Sequence, residues 1–145
     1  GYLNKIKKYT FDIGQNNNTY FLNFVKDDYL PYLYKNSLAL VMPTFSGPTN
    51  IPPWEAFHLE VPVFYSDIHN IKKVYKNAVF YIDPFNPNSL VDGIIKINQD
   101  KEKRLELLSN GLKLLNSIDE NKEFGQFLEI FKKRRKIKDT WEFIN

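Results

Sequence analysis

The stretch from Thr44 to Ala56, T-F-S-G-P-T-N-I-P-P-W-E-A, holds the groups best placed to do chemistry. It follows a short apolar run, Ser37 to Met42, that reads as a buried strand. It then spends several residues on turn formers and opens a helix with Pro52 and Pro53 in the first turn. Proline is tolerated there because the first helical N–H groups have no partner within the helix. A strand, a loop of Gly, Ser, Thr and Asn, and a helix N-terminus together suit an anion. Backbone N–H groups from Thr49 to Ile51 can point at phosphate oxygens, and the helix dipole favours negative charge. Glu55 sits about one turn into that helix. A carboxylate there repels phosphate, so it suits a hydroxyl-bearing group such as a ribose. The bland alternatives stay open: a structural strand-to-helix turn, and a first-turn glutamate that merely complements the helix dipole.

Elements that would position this loop can be read along the chain. Leu3, Ile6, Lys7 and Phe11 give helical spacing over about 2–13, ended by Gly14. Thr19 to Val25, rich in aromatic and branched residues, reads as a strand. Asp27 or Asp28 would cap a helix carrying Leu30, Leu33 and Tyr34. Further strands are expected at Ser37–Met42, Val61–Tyr65 and Ala78–Ile82, with a short helix or turn between Asp67 and Tyr75. Helices follow at Pro52 to about Leu59, Asn88–Asn98, Lys101 to about Asn116, and about Asn121 to Lys136. Strands alternating with helices predict an α/β domain: a parallel sheet with helices on both faces. Its ligand should bind beyond the carboxyl ends of the strands, where the Thr44–Glu55 segment leaves the sheet.

At this point the residues resemble a known family. Gly47 to Ala56 reads G-P-T-N-I-P-P-W-E-A, and Val61 to Asp67 reads V-P-V-F-Y-S-D. Both resemble the nucleotide-sugar loop of family 4 (group 1) retaining glycosyltransferases, written E-G-F-G-L-P-x-x-E-A then x-x-x-G-x-P-V-x-x-S-D. Phe21 to Val25 is similar to the family's F-L-G-F-V strand, and Tyr29 to Tyr34 to its L-x-x-L-Y helix. Leu38 to Pro43 matches its A-L-V-x-P strand, and Asp83-Pro84 its D-P turn. The loop variant resembles bacterial members that build cell-surface polysaccharide.

The resemblance implies a Rossmann-like sheet that is one half of a GT-B architecture, lacking its first strand or strands. Residues 1–145 would be a single, partial donor-nucleotide-binding domain, with 101–145 a closing helical segment. Backbone around Thr49, Asn50 and Ile51 would hold the donor diphosphate with the Thr49 hydroxyl assisting, Ser46 and Gly47 would belong to the same donor-binding loop, Glu55 would take the ribose hydroxyls, and Phe24 and Val25 would lie where the base packs. Phe24 and Val25 read equally well as an ordinary core strand, and Tyr29–Tyr34 as a core stripe. The family's first motif glutamate falls at Gly47, so the catalytic group is unknown. Sugar contacts would then come from backbone and Ser46, from another residue, or activity would be low. The donor would be a nucleotide diphosphate sugar, no metal or other cofactor is expected, and the acceptor would be a hydroxyl, lipid-linked or peripheral to a membrane. An acceptor domain and a basic Arg/Lys pair would precede Gly1, so the isolated chain is expected to have little or no transferase activity.

Bulk properties bound the function classes. The chain has 145 residues, 43% hydrophobic and 26% charged, enough to bury a core. Net charge is +3, too slight to argue for nucleic acid. The absence of cysteine excludes disulfides, a thiolate nucleophile and cysteine metal sites. That composition fits a reducing compartment, so a cytoplasmic location is expected, at the inner face of the membrane if the acceptor is lipid-linked. No apolar run reaches the length of a membrane span, and the N-terminus is not a signal peptide. It begins without an initiator methionine, as a fragment or a processed chain would. His58 and His69 have the wrong spacing for a metal pair and read as structural or exposed. Neither G-x-S-x-G nor a Walker loop is present. Lys132 to Lys136 is a basic run, either a solvated helix face or a patch attracted to anionic lipid. A non-catalytic nucleotide- or phosphate-binding module, or a flavodoxin-like interaction domain, is the alternative reading of the whole.

Overall fold

The computed structural model describes residues 2–46 and 50–118. The chain divides after Leu33 into two units.

The first unit opens with helix α1 (Tyr2–Asp12). Gly14 ends it at φ 69°, a left-handed conformation that glycine adopts without a Cβ penalty. Here the strand expected at Thr19–Val25 does not form: the segment has no strand pairing, and Phe24 is 84% exposed. Branched and aromatic residues favour a strand only where a neighbouring strand completes the ladder and a second layer covers one face. None of the described residues supplies that neighbour. A single 3₁₀ turn, Asp27–Tyr29, follows. Its N-cap is Lys26, with no side-chain bond, so Asp27 and Asp28 lie inside the turn rather than capping it. Helix α2 (Leu30–Lys35) continues from it across the division. Tyr29, Tyr32 and Leu33 are exposed, and of this segment Tyr34 packs against the core.

The second unit is built on three parallel strands in the order β1-β2-β3: β1 (Leu40–Met42), β2 (Val63–Ser66) and β3 (Phe80–Ile82). Each strand is shorter than, or shifted by one or two residues from, the run that predicts it. Val61, for instance, donates its N–H to Ala56 O and closes the preceding helix instead of joining the ladder. The helices are α3 (Pro52–His58), α4 (Ile71–Tyr75), α5 (Pro87–Gln99) and α6 (Lys101–Asn116). Asn86 and Asp100 cap α5 and α6 by accepting N–H bonds from Asn88 and Lys103. The last expected helix, 121–136, and its basic run lie outside the described residues.

Strand alternation divides the core in two. Val63 and Tyr65 of β2 face one cluster with Ala56, Phe57, Ile71 and Tyr75, against which Leu40, Met42 and Tyr81 pack. Phe64 faces the other with Ile82, Ile97 and Leu107, against which Val41, Phe80 and Ile94 pack. Successive side chains on a strand point to opposite faces, so both faces of this sheet are covered by helices, as parallel sheets require. Helix α6 serves both sides: Leu107 enters one cluster, while Leu114 and Leu115 pack on the other.

Two glycines permit close approach of a helix to aromatic rings. A Cβ at Gly93 would sit 2.6 Å from a Phe64 ring carbon and 2.8 Å from one of Phe80. A Cβ at Gly111 would sit 2.7 Å from Phe57. Phe64 is fully buried and cannot retreat. Gly93→Ala should therefore lower stability by about 1–3 kcal/mol, despite alanine's better helix propensity. Urea denaturation checks this; an equal or higher midpoint would contradict the packing described.

Candidate functional site: the carboxyl lip of the sheet

β1 ends at Met42 and its chain rises into the loop that carries the expected site. Thr44 fastens the start of this loop. Its hydroxyl donates to Ser46 O at 2.6 Å and accepts the Ser46 N–H at 3.2 Å. The Ser46 amide is therefore turned back on the loop and is not offered to a ligand. Gly47 and Thr49 lie outside the described residues.

Asn50 is held from below by two tyrosines. Its Nδ2 donates to Tyr65 Oη at 2.7 Å, and its carbonyl accepts from Tyr75 Oη at 3.2 Å. These rings lie 5.1 Å apart, both fully buried. Tyr65 comes from β2 and Tyr75 from α4, so sheet and helix together fix where the loop enters α3. Burial raises the Tyr65 pKa, with the Asn50 bond opposing. Burial pushes Tyr75 up to about 12, reinforced by the neighbouring Tyr65.

The backbone N–H groups of Asn50 and Ile51 donate to no acceptor among the described residues. The helix itself has little more to offer. Pro52 and Pro53 carry no N–H, and the amides of Trp54 and Glu55 already turn to Ile51 O. Ile51 caps the helix without a side-chain bond and is 69% exposed. Among the described residues, the amides at this corner without an acceptor are therefore those of the two residues before the helix, not those of its first turn.

Glu55 is half-buried on α3. Tyr34 Oη donates to its Oε2 at 2.8 Å. No described residue donates to Oε1. Burial raises the Tyr34 pKa, and the hydrogen bond to Glu55 and the carboxylate charge add to it. The phenol therefore stays protonated and remains a donor. A charge-assisted bond of this kind fixes the carboxylate's orientation. The sequence singles out Glu55 but not Tyr34, Tyr65 or Tyr75, which set the geometry. The signal was a tyrosine at the polar end of an apolar run, which spacing alone does not separate from a core aromatic.

Phe24 and Val25 belong to the first unit. Phe24 is exposed and Val25 half-buried, so neither sits in a core strand. His58 and His69 are both exposed, and no group of three acidic or histidine side chains able to hold a metal occurs among the described residues. Two clefts open at the amino ends of the strands, about 280 Å³ beside Tyr75 and Lys113 and about 540 Å³ beside Lys35, Lys101 and Arg104. Neither reaches the loop after β1. A second feature of the carboxyl lip was not foreseen: Phe45, after β1, and Phe85, after β3, meet with ring centroids 5.2 Å apart.

A family profile described as "Glycosyl transferases group 1" matches residues 1–114. The chain belongs to that family. It is 29% identical over 105 residues to an uncharacterized glycosyltransferase of Methanocaldococcus jannaschii, covering 71% of this chain and 27% of that protein. It is 30% identical over 92 residues to the O-antigen chain mannosyltransferase B of Escherichia coli, covering 63% of this chain and 24% of that protein. The chain thus spans about a quarter of the length of these relatives. Its fold is similar to sucrose-phosphate synthase of Thermosynechococcus elongatus, with a TM-score of 0.73 at 17% identity, over 94% of this chain and 34% of that one. The Rossmann-like α/β architecture expected of a group 1 glycosyltransferase is thereby present.

The tyrosines give this unit an alkaline limit. Burial pushes Tyr81 to about 12, with the Asp67 charge adding to it, and Tyr75 to about 12. Below pH 10 the phenols are neutral in folded and unfolded chains, so they contribute no pH dependence. Above it the unfolded chain releases protons that the folded one retains, and stability falls as pH rises from about 10 toward 12. Circular dichroism against pH, read with tyrosinate absorbance, should show unfolding and ionisation together. Ionisation of all tyrosines near pH 10 with the fold intact would contradict the burial.

Proposed function

We propose that the chain is the donor-binding part of a retaining glycosyltransferase that moves a sugar from a nucleotide diphosphate sugar to a hydroxyl acceptor. The observation that carries this is Glu55, half-buried one turn behind the loop leaving β1, with one carboxylate oxygen fixed by Tyr34 and the other without a donor among the described residues. An ionised carboxylate so held can accept from paired ribose hydroxyls. The N–H groups of Asn50 and Ile51, with the loop residues Gly47 and Thr49, would take the diphosphate. As the sugar departs, negative charge grows on that diphosphate, and fixed amide dipoles stabilise it without reorganising. The reading requires no metal. Family membership supports glycosyl transfer, and the likeness to an O-antigen mannosyltransferase supports a place in bacterial surface polysaccharide or lipopolysaccharide synthesis. Such work would be done in the cytoplasm, at the inner membrane face if the acceptor is lipid-linked. No helix among the described residues is long and apolar enough to cross a membrane.

Gly47, standing where the family motif has its first glutamate, favours a second reading: a nucleotide-binding module without catalysis. Both readings require donor binding, and transfer activity of the protein separates them.

Nucleoside diphosphates should raise the thermal midpoint, since a ligand at a hundred times its Kd stabilises the native state by about 2.7 kcal/mol. Glu55→Gln, which keeps shape and removes charge, should weaken diphosphate binding about tenfold or more. A flat thermal-shift profile across uridine, guanosine and adenosine diphosphates would sink the nucleotide reading. Tyr34→Phe should cost about 1 kcal/mol of stability and weaken the same binding, because Glu55 loses its orienting donor; isothermal titration beside urea denaturation measures both.

A further inference from the structure

We propose that Phe45 and Phe85 form a stacking platform for the transferred hexose of the donor, an assignment that rests on the donor-binding reading above. Phe45 lies just beyond the carboxyl end of β1, and Phe85 just beyond that of β3. In the order β1-β2-β3 those strands are not neighbours, so a ring contact between the two spans the carboxyl end of β2. This is the lip where an open α/β sheet binds its ligand.

The two rings are 64% and 83% exposed, tilted 55° to one another, with centroids 5.2 Å apart. Core packing therefore does not account for them. Exposed apolar rings gain free energy only when something covers them. Both are presented by stiff turns. Asp83 Oδ1 accepts the Phe85 N–H at 2.9 Å, and the Asp83 N–H donates to Ser89 Oγ at 2.9 Å. On the other side, the Thr44 hydroxyl ties down both backbone groups of Ser46, next to Phe45. Holding the rings in place beforehand lowers the ordering cost of a ligand that lands on them.

The choice of occupant follows from chemistry. No acidic or basic side chain occurs anywhere from Asn36 to Trp54. The first loop at this lip therefore offers a sugar no charged partner of its own. A hexopyranose has a face of C–H groups ringed by hydroxyls. An aromatic platform takes that apolar face and leaves the hydroxyls to backbone and water. Phe45 lies two residues before Gly47, on the same loop as the amides assigned to the diphosphate. A sugar bonded to that diphosphate is the group within reach.

The test compares each nucleoside diphosphate with its own sugar nucleotide, UDP with UDP-glucose and GDP with GDP-mannose, by isothermal titration of the protein. The wild-type protein should bind the preferred sugar nucleotide more tightly than the matching diphosphate. Phe45→Ala and Phe85→Ala should each erase most of that difference, weakening the sugar nucleotide by about three- to tenfold while leaving the diphosphate unchanged. Phe85→Trp, which keeps an aromatic face, should retain it. Thermal midpoints without ligand should hold, since these are surface rings. Equal weakening of diphosphate and sugar nucleotide, or no weakening of either, would overturn the platform. So would a wild-type protein that binds no sugar nucleotide more tightly than its diphosphate. If no diphosphate binds at all, the nucleotide reading falls first and takes this inference with it.

Discussion

The second unit depends on hiding four residues, Val63 to Ser66, from water on both faces at once. Every residue of β2 is buried. A parallel strand cannot leave one face in solvent as an antiparallel one can, because its crossovers place helices on the faces. Val63 and Tyr65 therefore need α3 and α4, and Phe64 needs α5 and α6. At glycines 93 and 111 a helix lies directly against a ring, Phe64 and Phe80 for the one and Phe57 for the other, with no side chain between. Packing on the two sides is coupled through one strand, so disturbance of either core reaches the loop that β1 and α3 share.

The buried tyrosines carry that coupling to the site. Tyr65 and Tyr75 are core residues by burial, yet each hydroxyl reaches Asn50, two residues before α3 begins. Tyr34 does the same for Glu55 from the end of α2. An apolar ring anchored in a core with its polar end at a loop fixes that loop more rigidly than a surface hydrogen bond would, because the ring cannot move without opening a cavity. The loop after β1 thus rests on a hydroxyl scaffold at its helical end and on a threonine turn at its strand end.

Proline shapes what the site can offer. Two successive prolines start α3 at low entropic cost, yet they delete the donors that a helix N-terminus would lend to an anion. Among the described residues the amides that remain, those of Asn50 and Ile51, lie before the helix, where the tyrosines beneath hold Asn50. No charged side chain occurs from Asn36 to Trp54, so Glu55 is the first ionisable group along the chain after β1.

Much of this was legible in the chain itself. Gly93 sits in an apolar-periodic run that reads as a helix and forms one, over 87–99, and the run at 101–116 behaves likewise, because amphipathic spacing and capping are local properties. The motif around Glu55 marked the family for the same reason. Thr19–Val25 failed because strand formation needs a partner, and no local pattern supplies one. Strand ends shifted because the ladder, not composition, decides which residues pair. Only the folded chain could bring Tyr34 to Glu55, Tyr65 and Tyr75 to Asn50, and Phe45 to Phe85. Residue types and their order determined which groups could act, whereas long-range packing decided which of them meet.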